Sequence, residues 1–465
     1  MKHSTITVVD GKHPITLQVK RMVIYLQSKI IEAYNEHGEV YYCFFYKNDF
    51  LNVKKSTKLR LHSHMQKAFQ NGQLYEAPHP LIDLILPTNR TLKSITFKQL
   101  FSKLETKYPP VEIARVATFF ESFIPQKALL KLIQTKYYEY VRDGKMLKSY
   151  QVIRVLLNFA PKDKWVKEFA NKLEYYKYAT LYKQLDSRLF MKDMIFAESE
   201  WFLNMKEEEN FKQLITFYEK ENLKADIIST HIHAFLMEPT NEQFHMLLQS
   251  LHEIFSEQEI VMILEDINQK HSNFSPIHHF LLNFYMENNE LERAIQLISS
   301  YPITFTHSQL KQLAIVMESI HLEETAVSPH NWHHILIPIY ESNHQQLDKI
   351  LHRYVGILLE SYDLPFATQW LEPFQQLNLH LPIIAKVKKM GMLRNDPDQQ
   401  SLLGEMYYQF HLTERAIECF SWEMELKEND PRPVQWLAKI YREAGQMHEY
   451  KAYQQHYMNL QNGAS

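Results

Sequence analysis

The sequence predicts an all-α chain over roughly four-fifths of its length, built from successive helix hairpins behind a small N-terminal α/β or irregular cap. Three observations carry this: apolar stripes at helical spacing recur from residue 94 onward, glycine is scarce, and one pattern returns near the C-terminus at a spacing of 34 residues. Of the 465 residues nine are Gly, against roughly 33 at ordinary usage. No two of the nine are spaced for a G-x-G-x-x-G or a G-x-x-x-x-G-K-[ST] loop, and no G-x-S-x-G elbow occurs. Dinucleotide, P-loop and hydrolase chemistry therefore lose their sequence support, because those sites need backbone turns that glycine supplies.

Taken in order, residues 5–9, the pair Asp10-Gly11 and residues 14–17 predict two short strands joined by a tight turn. Residues 19–35 place Val23, Leu26, Ile30 and Ala33 on one stripe at three- and four-residue spacing and predict a helix. After Gly38 the aromatic run Val40–Tyr46 predicts a strand. Prolines at 78, 80 and 87 punctuate residues 75–91 and set a boundary there. The organisation expected is a basic cap over 1–90, a degenerate array of helical hairpins over 91–270, and repeats with a C-terminal cap over 271–465.

Helix starts are written into the chain. Thr96 with Gln99, Thr240 with Gln243 and Ser256 with Glu259 are capping-box pairs, in which a short side chain and the residue three places on satisfy free N–H groups reciprocally. Pro109-Pro110 precedes residues 111–116, where a missing N–H costs a helix nothing. Trp165, Phe169, Leu173 and Tyr176 form an apolar stripe opposite Lys and Glu.

The repeat lies at the C-terminus. Leu403-Gly404-x-x-Tyr407 returns 34 residues later as Leu437-Ala438-x-x-Tyr441, with Ala416 and Phe420 between them. Leu281-Leu282-x-x-Tyr285 followed by Ala294 and Ile298 is a third match, and residues 354–374 a weaker one. This pattern resembles the tetratricopeptide repeat family, whose 34-residue units are helix–turn–helix pairs with small residues at the close approach. The usual tryptophan is replaced by His278, Gln400 and Val434, the closing proline by Thr306 and Glu428, and Tyr450 with Gln454 mark the last unit as a polar cap. In composition the chain also resembles tetratricopeptide proteins of low-GC Gram-positive, Bacillus-like bacteria.

The resemblance implies a right-handed α-solenoid and a protein–protein interaction scaffold, an adaptor binding a partner protein or peptide in a concave groove. Groove positions carried over from the family are His279, Asn283, Glu287, Glu405, Tyr408, Gln409, Lys439, Arg442 and Glu443. The positions where one variant of the family grips a terminal carboxylate hold His279, Ser401 and Gln435, which argues against a chaperone-tail clamp. A peptide-responsive regulator of the Gram-positive type is the alternative, although residues 1–70 carry no three-helix DNA-binding pattern.

Charge is uneven. Residues 1–190 hold 31 Lys+Arg against 16 Asp+Glu, and the remainder 20 against 38. Such opposed halves suit nucleic acid, an acidic protein, each other, or a homo-oligomer. Basic residues alternate with aromatics over 131–154 and 164–183, the pattern of an RNA-binding alternative, against the simpler reading of tyrosines packed between helices. Nucleic acid is the less favoured partner. The histidine clusters are His62-x-His64, His231-x-His233, His278-His279, and His330 with His333, His334 and Glu341. They lack the three or four converging ligands of zinc, so no metal and no cofactor is expected. Glu323-Glu324 and the other carboxylates come with no activated nucleophile, so no catalytic residue and no enzyme is expected. Cys43 and Cys419 fit neither a disulfide framework nor a zinc spacing, and the N-terminus lacks a long apolar run, so a cytoplasmic protein without a membrane span is expected.

Overall fold

The first 55 residues alternate β-branched and aromatic runs with turns of two or more residues, and they form five consecutive antiparallel strands. These are β1 (Thr5–Asp10), β2 (His13–Tyr25), β3 (Ser28–Tyr34), β4 (Val40–Tyr46) and β5 (Asp49–Lys55). The structure is a computed structural model, and it describes residues 5–463 apart from 12, 57–58, 186, 272, 302, 308, 312, 315–331, 341–343 and 377–380. The chain divides into two compact units, Met1–Phe274 and Ser275–Ser465.

In the first unit two further strands, β6 (Gln73–Glu76) and β7 (Thr91–Lys93), join the sheet, whose order is β5-β4-β3-β2-β1-β7 with β6 beside β2. Only β7 runs parallel to its neighbour, β1. The sheet curls until β5 comes close to β7, and a side chain bridges the gap. The Asn52 amide donates to the Ile95 carbonyl at 2.9 Å and accepts from the Ile95 N–H at 3.0 Å, doing the job of a missing strand pair. Both faces are buried. Val23, Ile30, Phe44 and Tyr46 pack outward on Met65, Leu100, Ile113 and Phe120, while Met22, Ile31, Cys43 and Val53, paired across four strands, are buried on the other face. The layer on the first face is α1 (His64–Asn71), α3 (Phe97–Glu105) and α4 (Pro110–Phe119), and α2 (Pro80–Ile85) packs instead against helices further along the chain, Lys224–Met237 and Glu257–Lys270.

This overturns the all-α expectation. The chain is 66% helical, but its first hundred or so residues form a nearly closed mixed sheet, not a small cap on an α-solenoid, and the tetratricopeptide-solenoid description falls with it. The helix expected over 19–35 is the β2–β3 hairpin. Its three- and four-residue spacing arises because β3 and the Met22–Ile24 end of β2 are buried on both faces, so apolar residues there are not confined to alternate positions. The turn carries no glycine; Leu26 itself takes φ 53°.

The remaining helices of this unit are α5 (Gln126–Arg142), α6 (Met146–Phe159), α7 (Lys164–Ala170), α8 (Tyr176–Lys183), α9 (Ser187–Phe190), α10 (Met194–Leu203), α11 (Glu208–Lys220), α12 (Lys224–Met237), α13 (Asn241–His252) and α14 (Glu257–Lys270). The start signals are where the sequence puts them. Thr96 and Ser256 close capping boxes, Thr240 accepts from the Gln243 N–H, and Pro110 opens α4.

The second unit contains α15 (Ser275–Glu287), α16 (Leu291–Ser300), α17 (His333–Tyr340), α18 (His344–Ser361), α19 (Leu364–Trp370), α20 (Glu372–Gln375), α21 (Pro382–Leu393), α22 (Gln400–Gln409), α23 (Thr413–Leu426), α24 (Pro431–Glu443) and α25 (Met447–Gly463). Leu403 and Leu437 are both buried on the first helix of a helix pair, α22–α23 and α24–α25. A Cβ on Gly404 would lie 3.0 Å from the Phe420 ring, so that glycine marks a close helix–helix contact. Among the described residues no helix is long and apolar enough to cross a membrane.

Candidate functional site

Two of the sequence-predicted groove helices meet around one aromatic–cation cluster. On α24, residues 436, 439 and 443 share a face, because three and four residues bring side chains round to the same side. Tyr408 of α22 donates its hydroxyl to Glu443, and its ring meets Trp436 edge-on at 5.3 Å. The Lys439 ammonium lies 4.7 Å from the Tyr408 ring centre and 4.5 Å from that of Trp436. On its other side Trp436 stacks on Phe420 at 5.5 Å, which fixes the indole against the core of the α22–α23 pair.

Beside this cluster, α24 and α25 enclose a groove of about 540 Å³ lined by Trp436, Lys439, Arg442, Tyr450 and Gln454. Among the described residues neither Lys439 nor Arg442 has a carboxylate within ion-pair distance. The indole thus forms a wall, and two cations line the same groove.

The structure therefore brings together Tyr408, Lys439 and Glu443, with Arg442 on the adjoining groove. Glu405 is half-buried on α22 and Gln409 exposed at its end. His279, Asn283 and Glu287 belong to α15, and among the described residues none makes a polar or ring contact with that cluster. Asn283 accepts from the Gln309 side chain at 2.7 Å instead. Trp436 is the groove residue that sequence reading missed. Its signal was present, three residues before Lys439, but family spacing put the expected tryptophan two places earlier.

The other candidate residues have structural surroundings. His64 stacks on Phe119 at 4.1 Å, His233 on Phe202 at 5.5 Å, and His278 on Tyr301 at 4.2 Å. The His333 ring nitrogen meets the Trp370 carbonyl at 2.7 Å. His330, Glu341, Glu323 and Glu324 lie outside the described residues. In the basic–aromatic stretch Tyr137, Tyr150, Tyr175 and Tyr182 are buried, and the Tyr175 hydroxyl bonds those of Tyr137 and Ser149 at 3.0 and 2.8 Å. Arg154 lies over the rings of Tyr182 and Phe196. Tyr138 and Tyr176 are the exposed rings of that stretch.

Sequence reading also missed a polar junction inside the first unit. The turns at the ends of β2–β3 and β4–β5 lie side by side, with the Lys47 N–H donating to the Gln27 carbonyl at 2.8 Å. From them Lys29, fully buried, reaches Asp226 of α12 and the Lys47 carbonyl. Gln27 donates to the buried Glu198 of α10 at 2.8 Å, as does the Tyr218 hydroxyl at 3.0 Å. Burial pushes the Asp226 carboxyl up to about 6, with Lys29 pulling the other way, and burial likewise raises Glu198 against the pull of Arg115. Partners separated by 171 to 197 residues leave no local signal.

No family model matches the chain and no curated protein matches it, so nothing in these comparisons identifies a tetratricopeptide family or a Gram-positive source.

Proposed function

We propose that this chain is an interaction protein that takes an acidic segment of a partner protein into the groove between α24 and α25. The observation that supports this is the pair Lys439 and Arg442, which line one groove beside Trp436 without carboxylates of their own among the described residues. An unpaired guanidinium offers a planar fork to a carboxylate, and an indole wall offers apolar contact to the side chain next to it. A groove of about 540 Å³ accepts a short extended segment rather than a folded domain.

The test is a peptide array probed with the full-length chain. Binding is expected to concentrate on peptides in which Asp or Glu neighbours an apolar residue, to weaken with salt, and to fall about tenfold or more in Lys439→Ala/Arg442→Ala. Binding that ignores acidic content, or that survives the double substitution, overturns the reading.

A further inference from the structure

The first unit holds a second cavity, of about 300 Å³, where the tip of the β2–β3 hairpin meets α1, α4, α6 and α10. Arg115 of α4 lines it and is only 9% exposed. A guanidinium carries five N–H donors and accepts nothing, so burying one calls for several acceptors. Among the described residues Arg115 donates no side-chain hydrogen bond, and its one charged contact is Glu198 at 3.5 Å. That carboxylate is already engaged by Gln27 and Tyr218, one on each oxygen. The donors that remain face a cavity lined also by Lys67, His62 and Asn158.

Lys67 is exposed and has no ion pair among the described residues. Glu121, on the same wall, accepts from the His64 N–H, and both Arg60 and Lys67 act on it. The His64 ring is held neutral: burial, with Arg115 and Lys67 adding, brings it down to about 3. Of the charged residues lining the cavity, Lys67 and Arg115 are cations and Glu121 is the carboxylate, while Glu198 meets Arg115 from behind the lining. The Arg115 guanidinium has no hydrogen-bond acceptor of its own among the described residues.

We propose that this cavity binds a small oxyanion, a phosphate or carboxylate group on a small molecule, taken by the Arg115 fork with Lys67 as the second cation. The anion supplies the acceptors Arg115 lacks, and the cavity volume lies at the lower end of the small-molecule range. This site is independent of the groove between α24 and α25.

The test uses the full-length chain with inorganic phosphate or citrate, each against sodium chloride at matched ionic strength, followed by thermal shift and calorimetry. Phosphate or citrate is expected to raise the Tm beyond chloride and to give a saturable isotherm. A response to phosphate alone assigns a phosphoryl ligand, and one to citrate alone a carboxylate. Lys67→Ala, at an exposed position, is expected to bind about tenfold more weakly, and Arg115→Lys, which keeps the charge but loses the fork, likewise. Lys67→Ala carries the test if Arg115→Lys does not fold. Equal Tm in all three salts, or a shift unchanged in Lys67→Ala, overturns the proposal, because salting-out stabilisation does not depend on Lys67.

Discussion

Lys29 shows what one buried charge commits a protein to. Its ammonium is fully enclosed, with the Asp226 carboxylate and the Lys47 carbonyl as partners. Removing only the cation strands a buried carboxylate, so Lys29→Met is expected to cost about 3–5 kcal/mol in urea unfolding. Lys29→Met/Asp226→Leu is expected to cost less than the single change, since neither charge is then left alone. Three histidines in the same unit set its acid response. Burial first, with nearby cations adding, holds His64 and His79 down at about 3, and burial holds His231 at about 4. The unfolded chain takes up those protons near pH 6.5, the folded one only far lower, so stability falls as pH drops from about 6.5 towards 4. Asp226, raised to about 6, works oppositely over the same window, favouring the folded state as pH falls. Glu198, Glu121 and Asp83, raised chiefly by burial, act with Asp226, and His233, lowered by burial, acts with the other histidines. The histidines have the larger displacements, so urea midpoints are expected to decline between about pH 7 and pH 4.5, and His79→Gln is expected to flatten that decline. None of these roles was legible in the sequence. A histidine beside another histidine looks the same whether it stacks in a core or binds a ligand.

At the scale of elements, local chemistry was legible and burial geometry was not. Thr96, Ser256 and Pro110 mark helix starts because capping acts within four residues. The 34-residue spacing found the α22–α23 and α24–α25 pairs, and the close contact at Gly404 follows from it. Residues 19–35 misled because a strand buried on both faces loses the alternation that identifies strands. Two glycines on helices in the same unit give opposite predictions. At Gly404 an added methyl presses on the Phe420 ring, itself held by Trp436, so Gly404→Ala is expected to lose about 1–2 kcal/mol despite better helix propensity. At Gly391, inside α21, an added methyl meets nothing within 4 Å, and Gly391→Ala is expected to gain about 0.5–1 kcal/mol. Thermal unfolding of the two variants checks both signs. In the sheet, Asn52→Ala removes the acceptor of the Ile95 N–H and one of the two donors to the Ile95 carbonyl, Lys54 being the other at 2.9 Å, and is expected to cost about 1–3 kcal/mol, measured in the same way.

Across the whole molecule, the charge imbalance is partly used within the first unit. Residues 191–274 carry 6 Lys+Arg against 16 Asp+Glu, and they meet the basic residues 1–190 through Lys29 with Asp226, Lys47 with Glu221 and Arg115 with Glu198. The sheet and helices α10–α12 are therefore one folding unit, although residues 94–193 separate them in the sequence. A fragment spanning 1–274 is expected to unfold in a single cooperative transition, whereas one ending before Glu198 should fail to, because it leaves Gln27 and Arg115 without their acceptor. Calorimetry of the two fragments decides this.

A cylinder zipped shut by two side chains, Asn52 and Lys54, has a place to unzip. When Asn52 and Lys54 let go of Ile95, β5 gains a free edge, guarded by little more than the charges of Lys54 and Lys55. Two molecules caught in that state can stitch edge to edge, each completing the other's sheet. Weakening that seam would then raise the tendency to self-assemble along with the loss of stability.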